Sequence, residues 1–302
     1  MYHIYLYSEL VAITSEKENL KEKIFRVYKR DGFVSFLRIS FVSVLNHLLV
    51  FKRSVKHKID LIKIKKRTLE YTDNQKDLTK ALTNACGYIF NSRVHGDIAE
   101  FGTCSARSSV ALAVSCDWFN KNYADQSLQP KKNLHFFDSF EGFPEAVSEI
   151  DKSSIHVIGG EWGKGRANYL TLSQFNRILK RSINKKFFNI YKGWYSDTLK
   201  IVNNDIKFSL IHVDCDLYQS TIDALDPLFE RGQISLGAIL LFDDWYCHST
   251  DMARGERRAF EELCDKYEIK YSEKGSYSRE CNQLIINSYK PKLNKREDIT
   301  GQ

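Results

Sequence analysis

The stretch "FSLIHVDCDLYQSTIDALDPLFE" (208–230) changes its periodicity once, and that change decides the fold. Its first half is nearly continuous apolar sequence, with Phe208, Leu210, Ile211 and Val213. A run of this kind fits a strand buried on both faces, as in a parallel sheet covered by helices. It ends on two acids, Asp214 and Asp216, after which 218–230 reads as a helix. The same plan recurs in "DIAEFG" (97–102), "LHFFD" (134–138), "FFNIYKG" (187–193) and "AILLFDD" (238–244). Helical stretches at 76–92, 106–121, 172–181 and 253–267 lie around and between them. Strands alternating with helices predict an α/β fold with a parallel sheet. At the end, "YEIKYSEK" (267–274) and "CNQLIINSYK" (281–290) are joined by too short a segment to hold a helix, so they should pair antiparallel. The expectation is a seven-stranded sheet, mostly parallel with a C-terminal antiparallel hairpin, with helices on both faces.

The chain has 302 residues, a length that fits one large domain with an appendage. We place a basic, helical N-terminal extension at 1–70, the body at 71–290 and a frayed basic tail at 291–302. The extension carries 15 Lys and Arg against 7 Asp and Glu, while the whole chain is only +7, so the body is close to neutral. A neutral body without aromatics interleaved on a basic stripe argues against a nucleic-acid partner. Seven cysteines without a CxxC pair, and no secretory signal, point to reduced thiols in a cytoplasmic protein rather than a zinc site. No run of 18 apolar residues is present, so no transmembrane helix is expected. The segment 33–58 is amphipathic with flanking basic residues. Three partners fit it: the body, a sister subunit in a homo-oligomer, or an anionic membrane touched peripherally.

In open parallel sheets ligands bind beyond the carboxyl ends of the strands. Here those ends carry Glu100-Phe101-Gly102, Asp138, Gly193, Asp214-Cys215-Asp216 and Asp243-Asp244. Clustered carboxylates repel one another, and a divalent cation removes that penalty. An all-oxygen donor set favours Mg²⁺. Asp214, Asp243 and Asp244 are the expected ligands, with Asp216 as support or as the cap of helix 218–230. Gly102 would let a ligand approach the backbone, and Ser108 or Ser109 could donate near the following helix N-terminus. Asp138 suits a ribose diol or, equally, a turn. His212 reads as a core histidine and His248 as a loop residue facing the site. The DxD at 214–216 also fits a metal-dependent glycosyltransferase, and a non-catalytic binding protein on the same fold is a further alternative.

Taken together, "GDIAEFGTCSARSS" (96–109), "FFDSFEGFPE" (136–145), "YKGWYSDTL" (191–199), "IHVDCDLYQSTIDAL" (211–225) and "GAILLFDDW" (237–245) resemble the macrocin O-methyltransferase (TylF-like) family of class I S-adenosylmethionine-dependent methyltransferases. The resemblance implies a Rossmann-like sheet and an O-methyltransferase acting on a hydroxyl of a sugar, glycosylated natural product or polysaccharide. S-adenosylmethionine and Mg²⁺ would be its cofactors. By position, Glu100, Phe101, Gly102, Thr103 and Ser108 would line the methionine part, and Asp138 and Ser139 the ribose. Gly193, Trp194 and Asp197 would border the adenine and substrate side, with Asp214 between cofactor and metal. Asp214 or His248 would serve as catalytic base. The chain departs from the family pattern at Ala106 and Arg107, where the family carries two glycines. Acceptor specificity should lie in the extension, the 139–170 insertion with its glycine-rich "GGEWGKGR", read as a mobile cover, and the 245–255 loop.

Overall fold

The computed structural model describes residues 74–292 apart from 125–129, 184–186 and 249–252. The chain divides into Met1–Thr72 and Asp73–Gln302, and the described residues belong to the second unit. The helical and membrane-contact expectations for 1–70, and most of the tail, lie outside the described residues.

Seven strands form one sheet: β1 (Asp97–Phe101), β2 (Leu134–Asp138), β3 (Phe188–Lys192), β4 (Phe208–Val213), β5 (Ile234–Phe242), β6 (Lys270–Gly275) and β7 (Asn282–Ser288), in the order β3-β2-β1-β4-β5-β7-β6. The first five are parallel, whereas β7 runs antiparallel to both β5 and β6. The larger helices are α1 (Asn74–Asn91), α2 (Arg107–Asn122), α5 (Leu172–Ser182), α7 (Tyr218–Glu230) and α8 (Gly255–Tyr267). Three one-turn helices lie in connections: α3 (Glu149–Lys152), α4 (Ile155–Gly159) and α6 (Tyr195–Thr198).

Alternating side chains of the central strands feed two cores. Ala99, Phe101, Ile211, Val213, Leu240 and Phe242 pack with α7 and α8 residues such as Leu228 and Phe260. Ile98, Leu210, Ile239 and Leu241 pack on the other face with α1, α2 and α5 residues such as Ile89, Leu112 and Phe175. Both faces are therefore dry, as the continuous apolar strands require. The mixed sheet with its terminal antiparallel pair is the expected architecture. The strand order reverses between β1 and β4, and the carboxyl ends at such a reversal are where open α/β sheets bind ligands.

Candidate active site

Four acids end β4 and β5, but three of them converge. Carboxylate oxygens of Asp214, Asp216 and Asp244 lie within 4.8 Å of one another. Asp243 lies beside them: its charge is the first among the acids to push up Asp214 and Asp244, and its Oδ1 also accepts from Tyr277 Oη at 3.4 Å and Cys281 Sγ at 3.3 Å. Asp216 joins the cluster because β4 stops at Val213 and Asp216 takes a left-handed conformation, φ 57°. The chain thus leaves the extended path that would have pointed it away. Nor does Asp216 cap α7. That helix has no cap from its own neighbours, and Asp151 of the 139–170 insertion takes the role, accepting from the amides of Tyr218 at 2.8 Å and Gln219 at 3.1 Å.

Crowding marks the cluster. Burial, then the charges of Asp243, Asp216 and Asp244, push the Asp214 carboxyl well above the usual carboxylate range. Burial, then Asp244 and Glu256, do the same to Asp216. Asp244 is pushed up to about 7 by burial and Asp243. All three residues keep partial exposure at the rim, so an ion can reach them. Three convergent carboxylates that disfavour their own charge fit a hard divalent cation.

Opposite them, the turn after β1 is tightly wound, with Gly102 at φ 88°, Cys104 at φ 40° and Ala106 at φ 65°. A Cβ on Gly102 would lie 1.9 Å from the Asp214 carbonyl oxygen. The glycine is thus required by the crossing of two loops of this chain, whatever a ligand demands. The N-terminus of α2 has no side-chain cap, so its first-turn amides leave room for an anion such as a carboxylate.

Asp138 pins this turn. Its Oδ2 accepts from Thr103 N and Thr103 Oγ1, each at 2.8 Å, and from Cys104 N at 3.3 Å, while Oδ1 accepts from Phe140 N at 2.6 Å. Ser139 is engaged with Gly142 and Glu141. Glu100 lies beneath the rim, fully buried, bonded to Ser109 and to His212 Nδ1 at 3.1 Å. His212 is in the core as expected, yet its Nε2 has no partner. Burial opposes the charged ring, but the Glu100 hydrogen bond and charge outweigh it and raise the His212 pKa. The Phe101 ring is core, stacked on Phe137 at 4.7 Å. Of the residues assigned to the methionine side, Gly102 remains partly open, while Thr103 and Ser108 are buried. Trp194 is exposed beside Gly193, and Asp197 points outward to Lys200 at 3.0 Å.

The macrocin-O-methyltransferase (TylF) family model matches residues 64–265. The chain belongs to this family. A relative from Streptomyces olivaceus, 8-demethyl-8-(2,3-dimethoxy-alpha-L-rhamnosyl)-tetracenomycin-C 4'-O-methyltransferase, is 26% identical over 164 residues, which is 50% of this chain and 54% of that protein. The chain therefore matches about half the length of this relative. The solved O-methyltransferase NovP shares the fold, with a TM-score of 0.57 at 17% identity over 70% of this chain and 80% of its own.

Residues of the 139–170 insertion contact the rim. Asp151 holds α7, His156 Nε2 donates to Cys247 O at 3.2 Å, and Arg254 donates to Ile150 O at 3.4 Å and to Ser153. The rings of His156, Trp162 and His248 pack together, with centroids 4.4 to 5.5 Å apart. His248 lies beside Gly255, whose added Cβ would be 3.1 Å from the His248 ring and 3.5 Å from Asp216 O. His248 thus lies near the backbone of Asp216. Sequence reasoning missed Asp151, His156, Trp162 and Glu256. Asp151 had a legible signal, since "SEID" (148–151) is a helix-capping pattern. Glu256 had none, reading as one more acid in a first helical turn.

Proposed function

We propose that this chain is an S-adenosylmethionine- and Mg²⁺-dependent O-methyltransferase acting on a hydroxyl of a saccharide or glycosylated natural product. The observation that carries this reading is the convergence of Asp214, Asp216 and Asp244 at the switch point of the sheet, against the Gly102 turn. Family membership supports methyl transfer, and the Streptomyces relative, named for a rhamnosyl-group 4'-O-methyl transfer, supports a sugar hydroxyl as acceptor. The glycosyltransferase reading of the DxD has no such support.

In this reading the 102–106 turn and the α2 N-terminus receive the methionine carboxylate, and Asp138, through its less occupied Oδ1, receives the ribose. Asp214, Asp216 and Asp244 hold Mg²⁺, with Asp243 beside them. Bound S-adenosylmethionine supplies an electrophilic methyl on a sulfonium, and bound Mg²⁺ supplies stabilisation of the negative charge that develops on the acceptor. The chain's own task is to hold the acceptor oxygen in line with the methyl and to take its proton. Asp214 or His248 takes that proton. The His156–Trp162–His248 wall screens the acceptor from water and contributes to its selection.

Calorimetry with S-adenosylmethionine, with and without Mg²⁺, tests this. The cofactor should bind, and Mg²⁺ should bind separately. No heat at millimolar cofactor would sink the methyltransferase reading, and tight UDP-sugar binding would favour a glycosyltransferase.

A further inference from the structure

Glu256, in the first turn of α8, is fully buried among the rim acids. Its Oε1 accepts from the amide of Cys215 at 2.9 Å, and its Oε2 accepts from the amide of Asp244 at 3.1 Å. Cys215 stands between Asp214 and Asp216, and Asp244 is the third member of the cluster. One carboxylate therefore ties the loop after β4 to the loop after β5. We propose that Glu256 is a positioning residue that fixes the spacing of these loops, so that Asp214, Asp216 and Asp244 converge on a divalent cation.

The chemistry explains the residue type. Only a carboxylate accepts on both oxygens, whereas a glutamine would set its NH₂ against one of the two amides. Bonds from amides to an ionised acceptor are also the stronger kind. A fourth acid beside three others is costly in isolation, because like charges disfavour one another. That cost is offset where a cation sits in front of the group, and the inference in this respect rests on the Mg²⁺ reading above. Asp151 is a useful control, since it also accepts from two backbone amides but lies outside the cluster.

The test compares full-length wild type, Glu256→Gln, Glu256→Asp and Asp151→Asn by Mn²⁺ titration with electron paramagnetic resonance detection. Hydrogen exchange of peptides covering Cys215 and Asp244 is measured alongside. Glu256→Gln should weaken Mn²⁺ binding by about 10–100-fold, the usual effect of losing a group that orients metal ligands. S-adenosylmethionine affinity should fall less than Mn²⁺ affinity does, because the tether acts on the acids before it acts on the Gly102 turn. Exchange at both tethered amides should quicken. Glu256→Asp, with both acceptors on a shorter stem, should fall between wild type and Glu256→Gln, and Asp151→Asn should keep wild-type Mn²⁺ affinity. Equal Mn²⁺ affinities across the Glu256 series overturn the proposal. If wild type itself binds no Mn²⁺, the metal reading falls, and exchange alone then decides whether Glu256 tethers the loops: unchanged exchange refutes it.

Discussion

At the scale of single residues, the site is built from conformations that most side chains avoid. Ala106 sits at φ 65°, in the left-handed region that favours glycine. A left-handed conformation costs an alanine about 1–2 kcal/mol. Its methyl is buried, and losing it forfeits about 0.8 kcal/mol. The first term is the larger, so Ala106→Gly should stabilise the protein by up to about 1 kcal/mol, raising Tm by about 2–4 °C. A drop in Tm would mean that packing outweighs backbone strain here. Asp216 shows the opposite use of the same region, because its left-handed turn delivers a carboxylate that an extended chain would have sent elsewhere.

At the scale of elements, the strands and larger helices were legible because each has one dominant signal. Continuous apolar runs bounded by acids or glycine located β1 to β4 within a residue or two. β5 begins earlier than its apolar core, at Ile234, because its first residues pair beside Gly237 without a continuous apolar run to announce them. The one-turn helices of the insertion escaped notice, since four or five residues carry no periodicity. The acid cluster at the strand ends was half legible. Asp214 and Asp244 follow from strand ends, but the choice between Asp216 and Asp243 depends on backbone turns that sequence spacing does not encode. Asp151 joins these scales by linking the insertion to α7. Asp151→Ala removes the acceptor for two helix-end amides and should cost about 1 kcal/mol in urea unfolding. It should also raise proteolysis within 148–170. An unchanged unfolding midpoint would refute the cap.

At the scale of the whole molecule, the acid cluster couples stability to pH and, under the proposed function, to ions. Asp244 is raised to about 7 in the folded state, whereas an unfolded aspartate titrates near 3.9. Between these values the folded state holds the proton more tightly, so stability falls as pH rises through this window and has lost the full contribution above about 7. A cation that binds only the folded state offsets that loss. The Tm gained on replacing EDTA by Mg²⁺ should therefore be larger at pH 8 than at pH 5.5. An equal gain at both would contradict the coupling. The most direct test of the central claim is a Mn²⁺ titration, read by water-proton relaxation, of wild type, Asp216→Ala and Asp243→Ala. Asp216→Ala should weaken binding by more than about tenfold and Asp243→Ala by less, since a direct ligand contributes at least as much as an orienting group. Wild-type affinity in Asp216→Ala, with binding abolished in Asp243→Ala, would contradict the cradle of Asp214, Asp216 and Asp244.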